Sequence, residues 1–508
     1  MRRLLPRLLP AVLPLAFLLW TGVRGVDFQK HWDERQMVLV VRDSIEEGRQ
    51  VPGWYHYPSM CFRLARAALW PKVLAGASTE QLVEETKKWR YRLRVRTVFL
   101  VVGALALLWV YGALLAAGRS VAEALLAAGI LATSWQWTYH ARWFAPDAVT
   151  AQFGALALLG IALAEVSGRR SGIWIAALGA GLATATKYTG GVFLFPALLA
   201  AWRGAGRERT AGARRRDVLA ALVLFGATFL AVTPGALVET SKFLEDVRFE
   251  MTHYREMGHY GHTVEPGLGL AARMVRFVAR DLASPSEAAS LAVVGLALAG
   301  ALAIGRRRPR LLALWLVGPT LLFLTLTSQR VLFVRNLLPL LPLLAILAAI
   351  GAGTLAARFS RRAAPALVLA GGALLVAPGV PFNLRAAESI RRFDALDPAR
   401  DLAAWMRAHP DRVVLARPSV AEALGRLDSP PPVRVDRDDP DVELVAFTID
   451  DHPAPGRLPS NVPGRTVAWF GPRDVDLEYY TAWLEPWIFL VPRERAESWN
   501  VFERPKDD

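Results

Sequence analysis

Apolar runs long enough to cross a bilayer recur from the N-terminus to about Phe382 and then stop. Each approaches the roughly 20 residues that span about 30 Å of hydrocarbon as a helix. The chain has 508 residues and is 53% hydrophobic, above the roughly 45–50% of an ordinary soluble protein. That excess has to be buried in lipid. The pattern predicts an all-α polytopic membrane bundle of about eleven spans. They lie near residues 4–23, 97–117, 120–139, 147–166, 171–187, 189–203, 217–238, 288–305, 310–327, 332–355 and 363–383. Residues 1–23 read as an uncleaved first helix, because Thr21-Gly22-Val23-Arg24 lacks a small-x-small cleavage site.

The arginines orient the bundle. With the N-terminus in the cytoplasm, Arg119, Arg169, Arg170, the run from Arg203 to Arg216, Arg306 to Arg310, and Arg358 to Arg362 all fall in short inner loops. The net charge of +15 is therefore explained by topology, and no nucleic-acid surface is expected. The same count puts residues 24–96, residues 239–287 and the C-terminal part outside, at a plasma (inner) membrane. Residues 1–383 form the membrane domain. Residues 384–508 read as a small extracytoplasmic α/β domain, with a helix over Leu402–His409 and strands near Arg412–Leu415, Glu443–Ile449, Arg465–Phe470 and Trp487–Val491.

The first outer loop is patterned like structure rather than linker. Asp33 with Gln36 reads as a capping box, after which Met37, Val38, Val41 and Ile45 share a helical face. Ser59 starts a second short helix that Pro71 is expected to stop, and Ser78 with Gln81 caps a third. Such amphipathic pieces beside a membrane are expected to lie in its interface.

Chemistry-bearing residues gather on the same side. Asp33 and Glu34 follow the first span, with His56 and Tyr57 further along that loop. Helix capping accounts for Asp33 as readily as catalysis does. Asp147 follows Pro146 in an early helical turn, where capping is again the plain alternative. Lys187, Arg330 and Arg335 break the positive-inside rule by falling at the outer mouth. Either they snorkel to headgroups or they hold a phosphate. His259 and His262 could share a divalent metal, but a spacing of three in a Gly-containing loop specifies none, and no metal ligand set is assigned. Cys61 is the single cysteine, which excludes an intramolecular disulfide. There is no nucleotide-binding glycine loop.

Taken together, Asp33-Glu34, His56-Tyr57-Pro58-Ser59, Arg142 through Asp147, Ala185 through Gly190 and Arg335 through Pro339 resemble the GT-C class of membrane glycosyltransferases. The similarity is to the bacterial form of the protein O-mannosyltransferase and aminoarabinose-transferase group, and it spans residues 1–355. Trp32 departs from the small or Pro residue that precedes the acid pair in that group. The resemblance implies a sugar donor on polyprenyl phosphate, a hydroxyl-bearing acceptor, and catalytic roles for Asp33, Glu34 and Asp147. It also implies donor-phosphate binding by Lys187, Arg335 and Arg330, and substrate contacts from His56, Tyr57, Arg142 and Tyr188. The chemistry is consistent: a lipid phosphate leaves readily once its charge is neutralised, so one base and a few cations suffice. Direct attack would invert the anomeric centre. A polytopic transporter and a lipid-linked glycan ligase or polymerase are the rival classes.

The orientation is tested by reporter fusions. A phosphatase fused at Arg400 should be active and one at Arg214 inactive; the reverse pattern would turn Asp33 toward the cytoplasm.

Overall fold

The computed structural model describes residue 7 and residues 9–27, 32–203, 210–258, 263–392, 397–436, 438–448, 466–470 and 488–498. The chain divides into two units: Met1–Val26, Asp33–Glu256 and Val264–Ala387 in one, and Asp27–Trp32, Met257–Thr263 and Glu388–Asp508 in the other.

The first unit is helical. Among the described residues, five helical stretches are long and apolar enough to cross a membrane: Trp89–Ala116, Pro146–Ser167, Glu287–Arg307, Pro309–Thr327 and Val334–Phe359. The pair Ala364–Val376 and Gly379–Glu388, bent by 41°, makes a sixth if it is one span. The remaining expected spans contain helices that are shorter, broken or charged at one end. Residues 120–139, expected as one span, are two helices, Val121–Thr133 and Trp135–His140. Ser134 interrupts them with extended backbone and accepts a hydrogen bond from the Trp137 N–H, so it caps the second piece. Helix Arg170–Thr184 likewise ends before a 3₁₀ turn over Tyr188–Phe193, and a second 3₁₀ turn over Val334–Leu340 precedes helix Leu341–Phe359.

Glycine sets the closest helix contacts. A Cβ on Gly160 would stand 2.4 Å from the Ala176 nitrogen, and one on Gly172 2.4 Å from the Ala164 nitrogen. A Cβ on Gly300 would meet the Leu347 carbonyl oxygen at 1.9 Å. Without a hydrophobic drive between helices in lipid, such backbone approaches supply the dispersion contacts that hold helices together.

Three local expectations are revised. The first-loop helix begins at Trp32, which places Asp33 inside its first turn rather than at its cap. Pro71 lies in the first turn of another short helix, Trp70–Leu74, where its missing N–H goes unneeded. The apolar face of Trp32–Glu46 is also not left to the membrane interface. Met37, Val38, Val41 and Ile45 are buried in one cluster with Phe62, Ala65, Tyr91, Val95 and Phe99. Ser78 does form the expected capping box with Gln81, both hydrogen bonds being present.

In the second unit, strands β1 (Val414–Ala416), β2 (Leu444–Phe447), β3 (Ala468–Phe470) and β4 (Ile488–Pro492) form a sheet in the order β1-β2-β4-β3. β1 and β2 are parallel and the other pairs antiparallel. The parallel pair requires a crossover, and helix Pro418–Gly425 lies within it. Leu402 and Ala403 of helix Asp397–Ala408 pack with Val420 and Leu424 against Val414, Leu444 and Leu490.

The glycine contacts give a direct test. Gly160→Leu and Gly172→Leu should each lower the melting temperature in detergent, because overpacking costs about 1–3 kcal/mol. Gly226→Leu, with nothing within 4 Å of its Cβ position, should leave melting nearly unchanged.

Candidate functional site

Asp147 is 3% exposed in the first turn of helix Pro146–Ser167. Pro146 supplies the preset φ for that turn, and two cations reach the carboxylate from helix breaks. Lys187, just before the 3₁₀ turn Tyr188–Phe193, donates to Asp147 Oδ1 at 2.7 Å. Arg335, within the 3₁₀ turn Val334–Leu340, brings Nε to 3.3 Å from Oδ2. Lys187 also donates to Asn336 Oδ1 at 2.6 Å. The Arg335 guanidinium lies 4.5 Å from the Phe333 ring centroid and 5.7 Å from that of Trp143. Both cations offset the buried charge of this carboxylate; Oδ1 accepts the Lys187 hydrogen bond, while Oδ2 has the Arg335 charge beside it and no hydrogen bond among the described residues. The broken spans are what bring these three charged groups together.

Glu34 answers the same constraint elsewhere. It is fully buried, and Arg96 donates to it through Nε at 2.8 Å and Nη2 at 2.6 Å. Arg96 Nη1 donates to the Val26 carbonyl at 3.0 Å, and the Phe144 N–H reaches Glu34 Oε1 at 3.4 Å. One carboxylate thus ties the start of the first-loop helix to helix Trp89–Ala116 and to the segment leading into Asp147. The Asp33 backbone belongs to that helix; its side chain lies outside the described residues, as do His259 and His262.

The rest of the first loop docks by hydrogen bonds. The Met60 N–H donates to the Ala185 carbonyl at 2.9 Å, and the Ser59 N–H to Thr233 Oγ1 at 3.2 Å. Tyr188 donates its hydroxyl to the Tyr55 carbonyl at 2.7 Å. His56 Nδ1 stands 2.7 Å from Glu250 Oε1 and its Nε2 3.9 Å from Asp246 Oδ1. Tyr55 donates its hydroxyl to Glu239 and its N–H to Asp246 at 2.7 Å. Burial, with Glu239 beside it, raises the Tyr55 phenol above its ordinary range, so it stays protonated. Tyr57 sits against Trp54, ring centroids 5.8 Å apart.

Arg142 is fully buried, donating through Nε to the Thr138 carbonyl at 2.8 Å and through Nη1 to that of Gly25 at 2.9 Å. Burial pushes it down to about 10, and it remains cationic near neutral pH. His140 is 5% exposed between the rings of Trp143 and Tyr139. Burial pushes its imidazole down to about 3, with the Asp147 charge opposing and that of Arg335 adding, so it stays neutral near pH 7.

The structure therefore brings Asp147, Lys187 and Arg335 together. It places His56 and Tyr188 where the first loop docks beside them in sequence. Arg330 is not in the cluster: it is 39% exposed, pairs with Glu265 at 3.3 Å and donates to the Glu256 carbonyl at 3.2 Å. Sequence reasoning assigned no role to Arg96 or to the carboxylates Asp246 and Glu250, and it took Asn336 only as part of the motif from Arg335 to Pro339. Arg96 begins an apolar run and resembles any flanking arginine; only the burial of Glu34 identifies it.

Residues 90–236 match the family model for dolichyl-phosphate-mannose-protein mannosyltransferases, so the chain resembles the GT-C glycosyltransferases in sequence over that stretch. Its fold is similar to that of ArnT from Cupriavidus metallidurans. The apo structure of that protein matches at TM-score 0.51 and 14% identity, covering 95% of this chain and 97% of that one. Its structure bound to undecaprenyl phosphate matches at TM-score 0.52 and 13% identity, over 96% and 97%. No curated protein matches by sequence. With this fold and its apolar helices, the chain is an integral membrane protein.

The buried pair is tested by melting in detergent. Arg96→Met strands the Glu34 charge and should cost about 3–5 kcal/mol, whereas the double variant Glu34→Leu/Arg96→Met should recover much of it. Additive losses would show that the two side chains are not coupled.

Proposed function

We propose that this protein transfers a sugar from a polyprenyl-phosphate-linked donor to a hydroxyl acceptor on the extracytoplasmic side of the plasma (inner) membrane, with inversion. The observation that carries the reading is the convergence of Lys187 and Arg335 on Asp147 at breaks between apolar helices. A lipid phosphate places its charge at the edge of the hydrocarbon, and paired cations on rigid helix ends suit it. The likeness in fold to a protein whose structure contains undecaprenyl phosphate supports the same donor class.

In this mechanism Lys187 and Arg335 hold the donor phosphate and neutralise the charge that develops as the bond from the anomeric carbon to the phosphate oxygen breaks. Such stabilisation is commonly the largest catalytic contribution. Asp33 takes the acceptor hydroxyl proton as its oxygen attacks the opposite face of the anomeric carbon. The Glu34–Arg96 pair fixes the helix turn that carries Asp33. Asp147 orients the cations and the acceptor. Tyr188 and His56 keep the loop over the site, and Arg142, bonded to two carbonyls, holds the approach to Asp147 in place. Arg330, paired with Glu265, is left outside the phosphate site. Polyprenyl phosphate activates the sugar without a nucleotide, and the mechanism draws on no metal.

The proposed setting is a membrane domain of about eleven spans over residues 1–383, with its N-terminus in the cytoplasm. It is followed by an extracytoplasmic α/β domain over residues 384–508.

Asparagine separates the base from a merely structural acid, since it cannot take the proton. Asp33→Asn should leave the protein folded and able to bind donor, while transfer falls by at least about 10²-fold. Asp147→Asn should fall less steeply. Lys187→Ala and Arg335→Ala should weaken donor binding more than acceptor binding. Near-normal turnover by Asp33→Asn, measured with a lipid-linked sugar, would remove it as the base and leave Asp147 as the next candidate.

A further inference from the structure

The segment Trp135–Trp143 holds buried polar groups that the mechanism above does not use, those of Gln136 and His140 among them. Both ring nitrogens of His140 are closed off from solvent and make no hydrogen bond among the described residues, and the same is true of Gln136 Oε1. The two residues are one turn apart on helix Trp135–His140, and residues four apart share a helix face. An unmet buried polar group costs about 1–3 kcal/mol, so two stacked on one face are a standing cost unless something binds them. Their neighbours indicate what. His140 lies within electrostatic reach of Asp147 and Arg335, beside the proposed phosphate cations. Its ring is 4.5 Å from that of Trp143 and 4.9 Å from that of Tyr139, and Tyr139 stacks on Trp135 at 5.2 Å.

Resting on the donor reading above, we propose that His140 and Gln136 bind the sugar ring of the lipid-linked donor by taking its hydroxyls, while Tyr139 and Trp143, packed edge-to-face at 4.7 Å, present one apolar wall to a C–H face. A pyranose presents apolar faces and polar edges at once, which is the combination these side chains offer. Neither His140 nor Gln136 carries charge, which separates them from the groups that meet the phosphate. A few placed polar groups among apolar ones are what fixes orientation in a small-molecule site. His140 would then discriminate between sugars, and Lys187 and Arg335 would bind the carrier whatever sugar it bears.

The test compares binding of bare undecaprenyl phosphate with that of undecaprenyl-phosphate hexoses and pentoses by purified full-length protein. The wild type should bind at least one glycosylated carrier more tightly than the bare one. His140→Phe, which keeps an aromatic ring of similar breadth, should remove roughly tenfold of that preference while leaving bare-carrier affinity unchanged and the melting temperature of the unliganded protein no lower, since an unmet polar edge is removed. His140→Gln should retain part of the preference, and Gln136→Leu should lose part of it. Lys187→Ala should weaken both kinds of ligand alike. An unchanged sugar preference in His140→Phe, or an equal loss for bare and glycosylated carrier, overturns the assignment while leaving the phosphate site intact. Failure of the wild type to bind any of these carriers overturns the donor reading and this inference with it.

Discussion

A carboxylate buried among apolar helices has to be accompanied by its countercharge, and the arrangement around Asp147 follows from that requirement. Removing a charge from water costs several kcal/mol, and only close cations and hydrogen bonds offset it. Lys187 and Arg335 can reach Asp147 because both stand at interruptions, before Tyr188–Phe193 and within Val334–Leu340. In an unbroken span those residues would lie on a helix wall, spaced by the regular turn. The interruptions supply the freedom, and Asn336, accepting from Lys187, removes it again by fixing the ammonium in one place. Irregular backbone in a membrane protein is tolerated only where it is enclosed in protein or lines a cavity, so the breaks and the charged cluster require each other.

The same rule acts at Glu34, with a different result. Its two oxygens are both taken by Arg96 and it has no exposure at all, so it offers nothing to a substrate from where it sits. Its effect is mechanical. By also accepting from the Phe144 N–H, it links the start of helix Trp32–Glu46 to the chain three residues before Asp147 in sequence. Of the two adjacent acids, Glu34 is held in the protein as an anchor, and the proposal above gives proton transfer to Asp33.

Much of this was legible in the sequence, and the reasons differ by element. Membrane helices could be read because hydrocarbon imposes a length on apolar runs. Ser78 with Gln81 announced its capping box because capping depends on residues three apart. Asp147, Lys187 and Arg335 could be singled out because each defied an expectation of composition, a charge where lipid would exclude it or a cation on the wrong side. The break at Ser134 was not legible, since Val121–His140 is apolar enough to continue and only the Ser134 hydroxyl on the Trp137 N–H diverts it. The burial of Met37, Val41 and Ile45 against Phe62 and Tyr91 was missed for a related reason. An amphipathic face declares that it will be covered, while the identity of the cover is a tertiary fact. Arg330 and Arg335 illustrate the same limit, because they share a loop and a charge and yet have different partners, Glu265 for one and Asp147 for the other.

The placement of polar groups also bears on how such a site could change its substrate. In the proposed site, phosphate recognition rests on cations that are tied to Asp147, so a substitution there would disturb a buried charge balance as well as binding. The segment Trp135–Trp143 contributes aromatic rings and the neutral groups of Gln136 and His140. Substituting a neutral group for another of similar volume leaves no uncompensated charge, and its cost is correspondingly smaller. Under the proposed roles, the sugar accepted could be varied through the second set of residues while the first keeps the carrier, because a neutral substitution in the second set removes no charge from the first.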